Sequence, residues 1–142
     1  MTNNEHGSRI KFTILAAIPV VLSIALATTV IGSDPEGWLG TMFLGWLLTI
    51  FVCPLYLAIL CCYCTIRKSL LLNYCMGICF LMNACTNFAF YCIYFILTGS
   101  IFIGAAHLWM MQFLAISIAV MSACLFVVWL IKRRYDNKTM GA

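Results

Sequence analysis

The spacing of the charged residues constrains this chain most, because it leaves long intervals that contain no Asp, Glu, Lys or Arg. A helix needs about 20 predominantly apolar residues to cross the hydrocarbon core of a bilayer, since each residue adds about 1.5 Å. The first two intervals each suit one crossing, and the 63 residues between Lys68 and Lys132 suit two. The charged clusters that bound these intervals are Glu5, Arg9 and Lys11; Asp34 and Glu36; Arg67 and Lys68; and Lys132, Arg133, Arg134, Asp136 and Lys138.

A break in the longest interval divides it into two helices. The segment LTGSIFIGAAH, residues 97–107, contains Gly99 and Gly104 beside small hydroxyl residues, and this composition favours a turn. Hydrophobic residues make up 65% of the chain and charged residues 8%, against about 25% charged residues in soluble domains. The sequence therefore predicts an all-α membrane protein with a single domain over residues 1–142. That domain is a bundle of four transmembrane helices with short loops, the helices covering about 11–31, 39–65, 70–98 and 103–131.

The basic residues predict the orientation of the four helices. All eight Lys and Arg lie before the first helix, between the second and third, or after the fourth, which is one side of the membrane. The positive-inside rule assigns that side to the cytosol, so both termini are expected there, with tails at residues 1–10 and 132–142. A second interpretation stays open. The first apolar run, with ALA at 25–27, also resembles a cleaved signal peptide, whose removal would leave three helices.

The basic C-terminal tail predicts a lipid partner. The segment KRRYDNK, residues 132–138, places four cations and one anion directly after the fourth helix. Each Lys or Arg near an anionic inner leaflet can contribute about 1 kcal/mol of attraction, so anionic lipids of that leaflet are expected partners. The tail has no lysine at the third or fourth position from its end and no K-D-E-L signal. We therefore expect a multi-pass protein of the plasma membrane or of late secretory membranes.

Three neighbouring cysteines are candidate lipidation sites. Cys61, Cys62 and Cys64 lie just before the basic pair Arg67 and Lys68, at the expected cytosolic end of the second helix. Cysteine in a juxtamembrane position is a known setting for S-palmitoylation. The alternative is that cysteine serves here only as a small apolar residue that a helix tolerates.

The same region also contains a metal-binding pattern. If the second and third helices form a hairpin around residue 68, the C-x-x-C of Cys61 and Cys64 lies at the depth of Cys75 and Cys79. Four thiolates can hold zinc. Thiolates are costly near hydrocarbon, however, so neither a metal nor another cofactor is expected.

Amide side chains and prolines are the polar features within the predicted helices. Asn83, Asn87 and Gln112 are expected to form interhelical contacts, because an amide in hydrocarbon seeks a partner on a neighbouring helix. Reflecting the third helix onto the fourth places Asn87 near Ser117 and Gln112 near Tyr91. The alternative is that these amides line a polar path through the bundle.

Prolines interrupt the first and second helices at Pro19 and Pro54. Proline has no backbone N–H, so each one leaves a carbonyl without its usual helical donor. Membrane helices tolerate proline where a neighbouring helix satisfies the freed carbonyl, and we expect neighbours to do so here.

The functional prediction is a non-enzymatic tetraspan protein that organises the membrane or escorts a partner membrane protein. No phosphate loop, H-E-x-x-H or G-x-S-x-G occurs in the sequence, and no motif is diagnostic of a particular family. Small residues at four-residue steps, such as Gly45 and Thr49, let helices approach closely and suit binding to other membrane proteins or to a second copy. Nucleic acid is not an expected partner. The alternative is a channel, a transporter or an auxiliary subunit of one, with Asn83, Asn87 and Gln112 along its path.

Overall fold

The computed structural model describes residues 3–29, 44–98 and 103–141. Helices account for nearly all of these residues, and this part of the chain contains no strand, so the all-α prediction is confirmed. The elements are α1 (Asn3–Ala16), α2 (Ile18–Thr28), a π-helical segment (Leu48–Val52), α3 (Cys53–Arg67), α4 (Leu72–Thr98) and α5 (Ile103–Met140).

Four helical stretches are long and apolar enough to cross a membrane, as the charge spacing predicts. We call them span 1 (Glu5–Leu26), span 2 (Leu44–Arg67), span 3 (Leu72–Cys92) and span 4 (Met111–Met140). The predicted boundaries differ most at the two tails, because α1 already begins at Asn3 and α5 continues to Met140. An i,i+4 ion pair supports the C-terminal extension, with Lys132 Nζ 2.7 Å from Asp136 Oδ1. The predicted loops at residues 32–38 and 99–102 lie outside the described residues.

Spans 2 and 3 form the centre of the bundle. They pack against each other as a hairpin, while span 1 packs mainly against span 3 and span 4 mainly against span 2. The hairpin turn closes through the backbone N–H groups of Lys68 and Leu70, which donate to the Cys64 carbonyl at 3.1 and 3.3 Å. Ser69 adopts a φ of 52° between them, the left-handed conformation that commonly ends a helix. Leu70 is buried and joins the hydrophobic core, which fixes the turn to the bundle.

The three basic segments lie at the same end of the bundle as this turn. The Arg9 guanidinium lies 5.1 Å from the centre of the Tyr74 ring, two residues into α4. Thr13 Oγ1 lies 3.1 Å from Tyr74 Oη, which gives a second link between spans 1 and 3. Span 4 runs in the same direction as span 2, because Trp46 stacks on Phe113 and Thr49, one turn later, bonds to Ser117, so the basic segment after span 4 lies at this end as well. The arrangement therefore brings the N-terminal, central and C-terminal basic residues to one end.

Candidate functional site

A buried hydrogen-bond network joins spans 2, 3 and 4 through the hydroxyl of Ser117. Asn83 and Asn87 lie one turn apart on α4, and their Nδ2 groups donate to Ser117 Oγ at 3.1 and 3.0 Å. The second Nδ2 hydrogen of Asn87 reaches the Asn83 backbone carbonyl at 2.8 Å. Ser117 and Asn83 are 0% and 1% exposed. The structure thus places Asn87 against Ser117, which is where reflection of the two helices places it.

The shorter bond that the Ser117 hydroxyl donates explains why a hydroxyl is present at this position. Ser117 Oγ donates to the backbone carbonyl of Thr49 at 3.0 Å. In an α-helix that carbonyl would accept from Cys53, but the Cys53 N–H instead bonds to Leu48, as a π-helix requires. The donor that would follow in the π-helical pattern is residue 54, and Pro54 has no N–H. A hydroxyl has one donor and two acceptor positions, so Ser117 uses its full capacity on three neighbours.

Span 1 contains a second carbonyl that is freed by proline and satisfied by a neighbour. Ala17 forms a turn between α1 and α2, and Pro19 follows in the first turn of α2. In a continuous α-helix residue 19 would donate to the Leu15 carbonyl, which proline cannot do. Tyr56 Oη of span 2 donates to that carbonyl at 2.9 Å. The carbonyls freed by Pro19 and Pro54 therefore each accept a hydrogen bond from a hydroxyl of another span. The sequence predicts that a neighbouring helix satisfies them.

Gln112 does not belong to the Ser117 network. Its side chain is exposed on span 4 and forms no hydrogen bond with another residue that the structure describes. The reason is angular, because five residues correspond to about 500° around an α-helix, or about 140° from the direction of Ser117. The reflection used for the prediction gives the depth of a residue but not the side of the helix on which it lies.

The cysteines between Cys53 and Cys79 are packed mainly at the interface of spans 2 and 3. The thiol of Cys61 lies within hydrogen-bonding range of the thiols of Cys75 and Cys79, and we call these three residues the thiol cluster. All three are fully buried, and Cys79 Sγ also lies 3.5 Å from the Leu57 carbonyl. Among the described residues, no three His, Cys, Asp or Glu side chains are arranged to hold a metal ion.

The three candidate lipidation sites have different environments. Cys61 is buried in the thiol cluster and Cys64 is 6% exposed. Cys62 is only partly buried, and it is the member of the three that is not enclosed by the other spans. Two of the three predicted sites therefore face the bundle interior, a distinction that adjacency to basic residues cannot make.

A cavity of about 770 Å³ lies beside the Ser117 network, between spans 2, 3 and 4. Thr49 and Asn87 line it and so connect it with the network. Trp46 also lines it and stacks on Phe113, with ring centres 4.3 Å apart and an interplanar angle of 20°. The Trp46 indole Nε1 is buried and has no hydrogen-bond partner in the described part of the chain. Sequence reasoning did not find this feature, because nothing in the sequence marks Trp46 as a cavity residue.

The comparisons with known proteins identify no relative. No protein-family model, no curated protein and no solved structure matches this chain.

Proposed function

We propose that this chain is a non-enzymatic integral membrane protein that organises the membrane or escorts a partner membrane protein through contacts within the bilayer. The observation that carries the proposal is the Ser117 network. Its amides and its hydroxyl are used to hold three spans together, with Ser117 0% exposed. Such bonds act as interhelical glue, whereas a polar transport path would direct the amides towards water.

The proposed orientation has both termini in the cytosol. Its support is the gathering of the N-terminal, central and C-terminal basic residues at one end of the bundle, which the positive-inside rule assigns to the cytosolic leaflet. In sealed cells, tags at either terminus should resist external protease, and a tag inserted at Gly37 should be cut. An externally cleaved C-terminal tag would contradict the orientation.

The helical extension of span 4 is the proposed contact with anionic lipid. Arg133 lies with its guanidinium 5.3 Å from the centre of the Trp129 ring, and Lys132 pairs with Asp136. The basic residues of this segment other than Lys132 can each contribute about 1 kcal/mol to the attraction to an anionic leaflet. We propose residence in the plasma membrane or late secretory membranes, and confinement of the native protein to the endoplasmic reticulum would contradict this placement.

Acylation is proposed at Cys62 rather than at all three neighbouring cysteines. An acyltransferase needs an accessible thiol near the inner membrane surface. Cys62 is partly exposed and lies five residues before Arg67, while Cys61 and Cys64 are buried.

Substitutions of the amides distinguish the proposed function from transport. Asn83→Leu and Asn87→Leu remove hydrogen bonds to Ser117 while keeping the size of the side chain. We expect loss of the monodisperse bundle and of co-purifying membrane proteins in mild detergent. Asn73→Leu is the matched control, because Asn73 is exposed on the same helix. Normal assembly with loss of ion or small-solute flux in proteoliposomes would instead favour a channel or transporter.

A further inference from the structure

The cavity between spans 2, 3 and 4 has the size and the opening of a small-molecule site. Its volume of about 770 Å³ lies within the range of about 300–1,000 Å³ for ligand pockets. Phe88 and Met111 both line the cavity, and each is 68% exposed on the outer surface of the bundle. In the described part of the chain, the cavity therefore reaches the surface beside these two side chains. If the bundle lies in a membrane as proposed above, that opening faces lipid, so a ligand would enter from the bilayer.

The lining selects against charge. The lining residues that the structure describes are apolar or uncharged, and none of them is Asp, Glu, Lys, Arg or His. An ionised group moved into such surroundings would lose its hydration without gaining an ion partner. The ligand that fits this lining is uncharged.

Two polar atoms of the lining have no partner in the described part of the chain. The indole N–H of Trp46 is buried without an acceptor. Asn87 uses both hydrogens of its amide nitrogen on Asn83 and Ser117, and its Oδ1 accepts no bond from a described residue. The lining residues thus carry one donor and one acceptor without a described partner, and a hydroxyl group supplies the complement of both. Because water does not reach the indole N–H, the ring must turn when a ligand binds to it.

We infer that this cavity binds an uncharged membrane lipid with a hydroxyl head, its apolar body lying against Phe88, Phe113 and Leu114. A sterol and a diacylglycerol share this chemistry. Lipid binding in the cavity depends on the proposed membrane placement but not on the proposed escort role. An experiment can therefore refute lipid binding without refuting the escort role.

Photocrosslinking tests the inference. The full-length protein, first shown to resist alkaline extraction from membranes, is placed in phosphatidylcholine nanodiscs with a photoreactive sterol, diacylglycerol or fatty acid. We expect one or both neutral probes to label peptides from residues 84–91 and 111–114, and an excess of the same unlabelled lipid to displace them. The more strongly displaced neutral probe identifies the source. Labelling that excess lipid does not displace, or a preference for the fatty acid anion, would overturn the inference.

Three substitutions, one of them a control, sharpen the test. Ala84→Phe fills the cavity and should reduce displaceable labelling at least fivefold, while Ala119→Phe, on an exposed position of span 4 away from the lining, should leave it unchanged. Trp46→Phe keeps an aromatic ring against Phe113 but removes the N–H, and it should weaken binding about threefold to tenfold. Unchanged labelling in a well-folded Ala84→Phe protein would refute the site. If that variant does not elute like the wild type, unchanged affinity of Trp46→Phe would refute it instead.

Discussion

Replacing Ser117 by alanine should destabilise the bundle more than any other single hydroxyl removal on span 4. The substitution removes the donor to the Thr49 carbonyl at 3.0 Å and the shared acceptor of Asn83 and Asn87, at 3.1 and 3.0 Å. Interhelical hydrogen bonds in membrane proteins average about 0.6 kcal/mol and reach about 1.7. Loss of three predicts a decrease of about 2 kcal/mol in the free energy of unfolding, or roughly a thirtyfold larger unfolded-to-folded ratio.

A double-mutant cycle isolates the bond to the freed carbonyl. Pro54→Ala restores an N–H at residue 54, which can donate to Thr49 in the existing π-helical pattern. Ser117→Ala should therefore cost about 0.6–1.7 kcal/mol less when alanine occupies position 54. The cycle cancels the other effects of losing proline, because those effects occur with and without the serine hydroxyl.

The assay is equilibrium unfolding in mixed micelles, with increasing SDS and detection by far-ultraviolet circular dichroism. Ser122→Ala is the matched control, because the Ser122 hydroxyl donates to Ile118 within its own helix at 2.8 Å and lies exposed. Its effect should stay within about 0.5 kcal/mol. The reasoning is refuted if Ser117→Ala is no more destabilising than Ser122→Ala, or if its effect is the same with either residue at position 54.

Three further predictions follow from the packing. In the same micelle assay, Tyr56→Phe should lower the unfolding free energy by about 0.6–1.7 kcal/mol. The loss should be smaller when alanine replaces Pro19, and an equal loss with proline or alanine at position 19 would contradict the prediction. Gly45→Ala should destabilise by about 1–3 kcal/mol, because its Cβ would overlap a buried phenylalanine ring of span 3, whereas Gly77→Ala meets open space and should be neutral or slightly stabilising. Acyl-exchange labelling of the native protein should detect an acyl group on Cys62. The prediction is contradicted if the labelling disappears when only the thiol cluster is substituted.

The sequence was sufficient to predict the four candidate spans and which residues of neighbouring spans lie at the same level. Charge spacing gives the four candidate spans, and the turn at 68–71 pairs the helices so that Cys61 meets Cys75. It also brings Cys79 to the Leu57 carbonyl, at 3.5 Å. These contacts follow from the hairpin. When a short turn joins two antiparallel helices, the numbers of two residues that face each other always add up to the same total.

The direction in which side chains point could not be predicted in the same way. Gln112 and Ser117 are close in depth, yet one is exposed and the other is fully buried. All residues near these positions are apolar or weakly polar, so hydrophobic periodicity does not distinguish a face against lipid from a face against another helix. The π-helical segment at Leu48–Val52 was also not predicted. Pro54 signals a freed carbonyl, but in an α-helix that carbonyl would belong to Ile50, and only the π-helical pattern moves it to Thr49.

The pairing of prolines with hydroxyls suggests how this bundle specifies its own helix arrangement. Lipid tails are as apolar as the side chains of the spans, so apolar packing alone does little to select one neighbour over another. A carbonyl that lacks its helical donor is costly in hydrocarbon, and a donor at the right depth on the right neighbour removes that cost. Tyr56 meets the Leu15 carbonyl and Ser117 meets the Thr49 carbonyl, so one pair joins span 1 to span 2 and the other joins span 4 to span 2. Both outer spans are thereby tied to the central hairpin, which leaves the apolar outer faces for the lipid and partner contacts that we propose.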